Sequence, residues 1–219
     1  MRCPKCGGLV VYDREKVEFV CALCDSIVDV ELMWPYKPEY LETVYAVKTR
    51  EKEKRAREVI RRHASNAVVA LSGKDSMVAL HLAVTAEIDV DVVIATYVAE
   101  TRIPAKVVDE LRAFAEGLDV RRIIIHDEPW DVHASLFRII SNRYGYNVVV
   151  TGLRREENRY HFGAVEYEMV RPGKMVKLVN PVIDWSSAEV WSYIYHYRLS
   201  LPTPYRIGAS PNVSLQHLI

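Results

Sequence analysis

The sequence lacks a net charge and any long apolar run. Its 29 Lys and Arg residues are balanced by 29 Asp and Glu residues, so a nucleic-acid-binding surface would have to be local. No stretch approaches the roughly 18 consecutive apolar residues that a transmembrane helix needs. The start of the chain, Met1–Cys6, lacks the apolar core of a secretory signal. We therefore expect a cytoplasmic protein with no membrane partner.

Glutamine is nearly absent and occurs once, at Gln216. Depletion of thermolabile amides is typical of proteins from thermophiles, so we expect a thermophilic source. The chain has 219 residues, of which 50% are apolar, and it can therefore bury a substantial core. This length fits one domain with a small appendage.

Cysteine is confined to the start of the chain. The four cysteines form two Cys-x-x-Cys pairs, Cys3 with Cys6 and Cys21 with Cys24, separated by 14 residues. This pattern is typical of a zinc ribbon, in which four thiolates bind one structural Zn²⁺. Two disulfides are the alternative, but a cytoplasmic chain favours zinc. We assign residues 1–31 to this ribbon, whose folding free energy the metal would supply.

Residues 32–65 are predicted to form a linker and then a basic helix. Pro35 and Pro38 disfavour regular structure in the linker, and a helical pattern begins at about Glu39. From Lys48 to His63 this helix carries eight Lys and Arg residues against three Glu. Such an excess could contact a phosphate backbone, but we favour a solvated face with mixed ion pairs.

From residue 66 onward, apolar strands alternate with helical patterns. The predicted strands are 67–71, 91–98, 121–125, 147–151 and 175–179. The predicted helices are 75–86, 104–116, 131–144, 155–169 and 187–198. Short apolar strands in regular βαβα order indicate strands buried on both faces. The predicted fold class is therefore α/β, with a doubly wound, mostly parallel five-stranded sheet of Rossmann type over residues 66–219, preceded by the ribbon.

A polar turn follows the first of these strands and opens a helix; we call it the first loop. Its residues are Ser72, Gly73, Lys74, Asp75 and Ser76. A strand–turn–helix junction favours anions, because unpaired backbone N–H groups and the helix dipole converge there. Glycine permits close backbone approach, and the hydroxyls and the ammonium group add donors. The turn suggests phosphate binding, although many such turns bind nothing, and it is not a Walker A loop.

A second loop, Thr151–Arg159, follows the fourth predicted strand. Gly152 gives backbone access there, and Arg154, Arg155 and Arg159 offer forked donors that suit phosphate or sulfate. The same residues could instead begin a helix with surface ion pairs. Farther along, Asn180–Trp191 contains a capping box, Ser186-x-x-Glu189, at the start of a helix; we call Asn180–Trp191 the third motif.

Together these motifs resemble the phosphoadenosine phosphosulfate (PAPS) reductase family of the PP-loop ATP pyrophosphatase, or adenine nucleotide alpha hydrolase, superfamily. In that family the first loop reads S-G-G-K-D-S, and Leu71 and Ser72 here replace its first Ser and Gly. The second loop reads G-[IV]-R-x-x-E-S, which Gly152, Arg154 and Glu157 match. The third motif and Leu201–Tyr205 are also similar, so the resemblance spans about residues 60–208. At Val98–Pro104 only the final proline of the family's D-T-G-x-x-x-P pattern is present.

The resemblance implies an adenine nucleotide, ATP or a PAPS-like molecule, bound with Mg²⁺. Lys74 and Arg154 would neutralise phosphate charge as the catalytic residues, and Glu157 would hold the second loop. The other residues of the first loop would form the cradle, with Asp75 as a metal contact. The third motif would be structural, with Trp185 and Trp191 packed in the core.

The absence of any cysteine after Cys24 bears directly on activity. A PAPS reductase needs a cysteine nucleophile, whereas adenylation with pyrophosphate release does not. We therefore expect ATP cleavage between the α- and β-phosphates. A zinc ribbon ahead of a PP-loop domain also resembles tRNA-thiolation enzymes. This resemblance implies tRNA and a separate sulfur donor as candidate partners. The alternatives are a reductase-like activity with a thiol from a partner protein, and a non-catalytic nucleotide-binding or regulatory module.

Overall fold

The computed structural model describes residues 2–13, 18–28, 35–98, 101–129, 136–156 and 163–207. The chain begins with a small antiparallel hairpin of β1 (Val10–Asp13) and β2 (Glu18–Cys21). Val10 lies opposite Cys21 in this hairpin. The register brings the two cysteine pairs to the same end of the hairpin.

A long helical segment follows the hairpin. It comprises α1 (Pro38–Val44), one π-helical turn (Tyr45–Thr49) and α2 (Arg50–His63). Pro38 begins the segment at the first helical turn, where its missing N–H costs nothing. The predicted helix is present, but the π turn within it was not predicted. Leu41 and Ile60 are fully buried in the same core as the central sheet.

The central sheet has six strands in the order β7-β4-β3-β8-β10-β9. Its strands are β3 (Val68–Leu71), β4 (Asp91–Ala95), β7 (Arg122–His126), β8 (Val148–Val150), β9 (Val165–Arg171) and β10 (Lys174–Val179). All neighbouring strands pair in parallel except β9 and β10, which form an antiparallel hairpin. The predicted α/β class with a mostly parallel sheet is confirmed, with one more strand than the five predicted.

The helices are α3 (Lys74–Thr85), α4 (Ala105–Glu116), α5 (Leu136–Tyr144) and α6 (Ser187–Tyr197). They cover both faces of the sheet. Val69 and Leu71 face a core shared with α2, α3, α4 and α6, whereas Val68 and Ala70 face a second core shared with α5. This alternation explains why the strands are apolar throughout. No helix of the described residues is both long and apolar enough to cross a bilayer.

Two predicted elements differ from the structure. The strand predicted at 91–98 ends at Ala95, and a separate two-residue ladder joins β5 (Tyr97–Val98) to β6 (Thr101–Arg102). The helix predicted at 155–169 is wrong from Val165, where β9 begins. The sequence of β9 alternates apolar and charged residues, which is a strand period, and Pro172-Gly173 then makes a tight turn with Gly173 at φ +75°.

The sheet has a topological switch point between β3 and β8. The chain leaves β3 toward β4 and β7 on one side, then returns to the other side of β3 to form β8. Ligands of doubly wound sheets bind beyond the carboxyl ends of the strands at such a point. The first loop follows β3 and the second loop follows β8, so the two predicted loops meet there.

Candidate functional site

The first loop is closed by the hydroxyl of Ser76. Its Oγ accepts hydrogen bonds from the backbone N–H groups of Ser72 at 2.9 Å and Gly73 at 3.0 Å, and it donates to the Gly73 carbonyl at 2.8 Å. Gly73 is extended, with φ 175°, so any residue could adopt its backbone conformation. The α3 helix begins immediately after it, at Lys74, and the turn is thus fixed against the helix N-terminus.

The second loop touches the first loop through Gly152. A Cβ atom at this position would lie 2.3 Å from the backbone nitrogen of Ser76 and 2.4 Å from the carbonyl carbon of Asp75. Only a residue without a side chain allows this approach. The sequence singled out Gly152 as an access point for a ligand, whereas the structure shows that it admits the backbone of the first loop.

An ion-pair cluster joins the two loops. One carboxylate oxygen of Asp75 lies 2.7 Å from Lys74 Nζ, and the other lies 2.7 Å from Arg154 Nε. The Lys74 and Arg154 side chains have 0% exposure, and that of Asp75 has 14%. The two cations predicted to be catalytic are thus brought together, but both are directed at Asp75, which is the only one of these three side chains with any exposed surface.

Glu156 extends this cluster to the third motif. Its Oε2 lies 3.0 Å from Arg154 Nη1 and accepts a hydrogen bond of 3.0 Å from the backbone N–H of Ser187, at the start of α6. Sequence reasoning assigned the supporting role to Glu157 instead, and Glu157 lies outside the described residues. A carboxylate at a helix N-terminus is favourable. The two adjacent glutamates after Arg155, Glu156 and Glu157, were therefore both candidates for this role in the sequence.

Tyr205 is a further part of the site that the sequence did not assign. Its hydroxyl accepts a hydrogen bond of 3.2 Å from the backbone N–H of Lys74, the first residue of α3. The segment before it is anchored by Glu110 of α4, whose carboxylate accepts hydrogen bonds from the backbone N–H and the hydroxyl of Thr203. The family-like run Leu201–Tyr205 therefore packs against the first loop.

The third motif has the capping box and the buried tryptophans that the sequence predicts. Ser186 and Glu189 form the reciprocal capping box, with the Glu189 N–H donating to Ser186 Oγ at 3.3 Å and the Ser186 N–H donating to Glu189 Oε2 at 2.6 Å. Trp185 and Trp191 are each buried. Asp184 is exposed and pairs with Arg155 at 2.9 Å, beside a small cavity of about 270 Å³.

The basic helix has the mixed ion pairs that the sequence favours. Lys52 Nζ lies 2.7 Å from Glu189 of the third motif and donates to the Asp184 carbonyl at 2.6 Å. Arg57 pairs with Glu53 on the same helix. These contacts fix α2 against α6 and leave its remaining basic residues on the solvent side.

The four cysteine sulfurs form a cluster apart from the loops. All four lie within 4.8 Å of one another, with Cys6 Sγ 3.3 Å from both Cys21 Sγ and Cys24 Sγ. Backbone N–H groups of Lys5 and Leu23 donate to Cys3 and Cys21 at 3.4 Å. Four thiols at this spacing, with backbone donors that stabilise thiolates, fit a tetrahedral metal such as Zn²⁺.

Local hydrogen bonds favour the thiolate form of Cys21 and Cys24, whereas at Cys6 the Gly8 N–H is outweighed by hydrogen bonds with these two thiols, which raise the pKa of Cys6 to about 12. The hydroxyl and the backbone N–H of Ser26 lower the pKa of the Cys24 thiol to about 6. The backbone N–H of Leu23 likewise lowers the pKa of Cys21. Gly8 makes room for the sulfurs, since a Cβ there would lie 2.8 Å from Cys21 Sγ and 3.3 Å from Cys6 Sγ.

Comparison with known families supports the resemblance drawn from the motifs. Residues 138–208 match the family model of the phosphoadenosine phosphosulfate reductase domain, the family that the motifs of the sequence resemble. The matched stretch contains the second loop, the third motif and Tyr205, and it begins after the first loop. No curated protein matches the chain in sequence.

Solved structures share the fold at low sequence identity. The FMN adenylyltransferase of Candida glabrata, in complex with FAD and inorganic pyrophosphate, has a TM-score of 0.54 and 11% identity, covering 72% of this chain and 63% of that one. Its complex with FMN and the ATP analogue AMPCPP has a TM-score of 0.52 and 12% identity, with the same coverage. Yeast FAD synthetase in complex with FAD has a TM-score of 0.53 and 12% identity, covering 72% and 66%. The chain thus spans less than two thirds of the length of these proteins.

Proposed function

We propose that this protein binds an adenine nucleotide at the switch point between β3 and β8 and cleaves ATP between the α- and β-phosphates. The observation that carries the proposal is the contact of Gly152 with the first loop, where a Cβ would lie 2.3 Å from Ser76 N. Through this contact the first and second loops form one continuous surface. That surface lies beyond the carboxyl ends of β3 and β8, where doubly wound sheets bind ligands. The family match over residues 138–208 supports the same site.

The phosphates would lie at the N-terminus of α3. The first turn of a helix has N–H groups without intrahelical partners, and its dipole favours negative charge. Ser72 would add its hydroxyl, whereas the N–H groups of Ser72 and Gly73 donate to Ser76 Oγ and would hold the loop in shape. Lys74 and Arg154 are buried beneath this surface, where both pair with Asp75. They would stabilise the phosphates through their positive charge rather than by direct contact.

Mg²⁺ would bind at the Asp75 carboxylate. Magnesium is commonly held by one or two carboxylates together with substrate phosphates. Asp75 fits this requirement, because it is the partly exposed member of the cluster. The metal would spread the negative charge that develops on the leaving pyrophosphate.

The proposed reaction is an adenylyl transfer. An acceptor oxygen forms a bond to the α-phosphorus, the bond from that phosphorus to the bridging oxygen breaks, and pyrophosphate leaves with its electron pair. The acceptor proton is released to solvent. This chemistry depends on positioning and charge neutralisation rather than on a protein nucleophile, and it agrees with a sequence that has no cysteine beyond Cys24. The fold neighbours support this class, since one was solved with FMN and an ATP analogue and another with FAD and inorganic pyrophosphate.

The test combines binding with pyrophosphate release. Titration with ATP, AMPCPP, PAPS and AMP, followed by calorimetry, should show binding of ATP that Ser76→Ala weakens by about tenfold, because the first loop loses the acceptor of two N–H groups. Ser65→Ala, an exposed serine in a turn, is the matched control and should bind as the wild type does. Absence of binding to all four nucleotides would refute the proposal. Binding of ATP without pyrophosphate release would indicate the non-catalytic module.

A reductase-like activity is the second candidate, because the matched family model is that of PAPS reductase. The thiol would have to come from a partner protein, since the chain has no cysteine between residue 25 and its last residue. Sulfite release from PAPS in the presence of reduced thioredoxin tests this candidate. A negative result together with pyrophosphate release from ATP would remove it.

RNA is the acceptor class that the exposed face of α2 supports. The exposed cations of α2 and of the π turn before it are Lys48, Arg50, Lys54, Arg55, Arg61 and Arg62, and the exposed carboxylates are Glu51 and Glu58. This local excess suits a phosphate backbone even though the whole chain is neutral. Addition of tRNA should then stimulate pyrophosphate release, and sulfur, if it is transferred, would come from a separate donor. If tRNA does not change the rate of pyrophosphate release, the acceptor is a small molecule rather than RNA.

A further inference from the structure

A second polar cluster lies at the carboxyl ends of β4 and β7. Thr96 directly follows β4, and Asp127 directly follows β7. The Thr96 hydroxyl donates a hydrogen bond of 2.5 Å to Asp127 Oδ1, and the Thr96 backbone N–H donates to the His126 carbonyl at 3.0 Å. Thr96 is 7% exposed, whereas the Asp127 side chain is 58% exposed. A buried hydroxyl thus orients an exposed carboxylate at the same edge of the sheet as the candidate site.

The strand register places this carboxylate level with the first loop. Near their carboxyl ends, β3, β4 and β7 are aligned side by side at Leu71, Ile94 and Ile125. Two residues after these positions the chain reaches Gly73, Thr96 and Asp127 in turn. Because neighbouring strands are about 4.8 Å apart, Asp127 lies two strand spacings, or about 10 Å, across the sheet edge from Gly73. An adenine nucleotide whose phosphates contact the first loop is long enough to reach it.

The side of the first loop next to β8 is already occupied by protein. Gly152 of the second loop lies against the backbone of Asp75 and Ser76, and Glu156 ties the second loop to the start of α6 through the Ser187 N–H. The first loop is therefore covered on this side by the second loop. A nucleotide bound by its phosphates at the first loop would extend its sugar and base the other way, over β4 and β7, where Asp127 is exposed.

The chemistry of Asp127 selects the sugar rather than the phosphates. A carboxylate only accepts hydrogen bonds and repels phosphate, so its natural partners are hydroxyl and amine groups. Its Oδ1 accepts from Thr96 and, at 3.3 Å, from Arg102 Nη2. Within the described part of the chain, Oδ2 accepts no hydrogen bond from another side chain. In other doubly wound folds an acidic residue of this kind accepts a hydrogen bond from a ribose hydroxyl.

We propose that Asp127 recognises the ribose of the bound nucleotide, with Oδ2 accepting a hydrogen bond from a ribose hydroxyl and with Thr96 as the positioning residue. The inference rests on the proposed function, since it concerns the same nucleotide. Arg102 would border the ribose on the outer side, where its guanidinium lies over the Tyr97 ring at 5.5 Å from the centroid. The protein would then distinguish ribonucleotides from deoxyribonucleotides.

The first experiment compares nucleotides that differ by one donor group. In calorimetric titrations the wild type should bind ATP about tenfold more tightly than at least one of 2′-deoxy-ATP and 3′-deoxy-ATP, because each lacks one hydroxyl. Asp127→Ala should abolish this difference by weakening the binding of ATP alone. Glu128→Ala is the matched control, since Glu128 forms an exposed pair with Arg143, and it should keep the difference. Inosine triphosphate, which lacks the adenine amine, tests the base: if Asp127→Ala removes a preference for ATP over this nucleotide instead, the ribose assignment is wrong.

The second experiment tests the positioning role of Thr96. Thr96→Val should reduce the ratio of the ATP and deoxy-ATP affinities, because the carboxylate loses the hydroxyl that orients it, whereas Thr96→Ser retains the hydroxyl and should keep the ratio. A merely structural role would change the urea midpoint of unfolding and leave the ratio as it is. If the wild type binds ATP without distinguishing either deoxy form, or if Asp127→Ala keeps the difference, the ribose assignment is overturned and the proposed function stands. If the wild type binds no nucleotide, the proposed function itself fails.

Discussion

Arg154 Nε and an Asp75 carboxylate oxygen lie 2.7 Å apart, although one residue belongs to the loop after β8 and the other to the first turn of α3. The pair holds together the two loops that flank the switch point. The carboxylate also binds Lys74, so one partly exposed anion organises two fully buried cations. The stability of the site and the metal binding proposed for it therefore depend on the same carboxylate.

Replacing this carboxylate should be costly. Asp75→Asn would leave two buried cations without their shared anion, and we expect the free energy of unfolding to fall by about 3 kcal/mol. Urea denaturation followed by circular dichroism measures the change. Asp184→Asn is the matched control, because Asp184 forms an exposed pair with Arg155 and should change stability by less than about 1 kcal/mol. Equal effects of the two variants would contradict the buried cluster.

The contact at Gly152 predicts a steric effect. Gly152→Ala places a methyl group against the backbone of Ser76 and Asp75, and backbone cannot shift as a flexible side chain can. We expect a loss of about 3 kcal/mol in unfolding free energy, or displacement of the loops with loss of nucleotide binding. Gly117→Ala, whose new Cβ would be 3.5 Å from its nearest neighbours, should be close to neutral. Normal stability and binding of Gly152→Ala would show that the loops are not packed as described.

The cysteine cluster predicts one zinc ion per chain. Mass-spectrometric metal analysis of Cys24→Ser should show loss of the metal, whereas Ser26→Ala should retain it, because the Ser26 hydroxyl is not one of the four ligands and only contacts Cys24 Sγ, at 3.2 Å. Gly8→Ala should also lose metal affinity, since its methyl group would meet two of the sulfurs. Full zinc occupancy in Cys24→Ser would contradict four-thiolate binding.

A second ionic cluster predicts acid sensitivity at the opposite end of the sheet. Burial alone would raise the pKa of Asp91, but hydrogen bonds from Arg121 and Tyr146 hold the pKa below its usual value. A carboxyl group with a depressed folded pKa stabilises the fold above its unfolded pKa, and this contribution is lost as the pH falls through the folded pKa. Asp91→Asn should be destabilised by about 2 kcal/mol at neutral pH, and its difference from the wild type should shrink progressively as the pH falls below about 3.9, the ordinary pKa of an aspartate. Unfolding curves across this pH range provide the check, and a constant difference would contradict it.

The parallel part of the fold was predictable from the sequence because each of its strands has a recognisable local pattern. Val68–Leu71 and Asp91–Ala95 are apolar on both faces, and each is followed by a helical pattern. The β9–β10 hairpin was missed at its first strand because Glu166 and Glu168 resemble a charged helix in composition. Their alternation with Tyr167 and Met169 is the feature that distinguishes the strand.

The candidate site was predictable as a list of residues but not as an arrangement. Motifs located Lys74, Asp75, Gly152 and Arg154, and all four meet in the structure. Their roles depend on tertiary geometry, since burial turns two cations from ligand-facing groups into partners of Asp75. Tyr205 could not be assigned, because nothing local links it to a loop 131 residues earlier.

The hydrogen bond from Lys74 to Tyr205 also has a consequence for how the protein is made. The first loop leaves the ribosome well before Tyr205, which follows it by 131 positions, and domains generally fold as units during synthesis. Until the later segment docks on Glu110, the helix start that would receive phosphates lacks one of its fixed partners. A nascent chain that already contains the first loop thus does not yet have the complete site, and under the proposed function nucleotide binding would come only after synthesis of Tyr205.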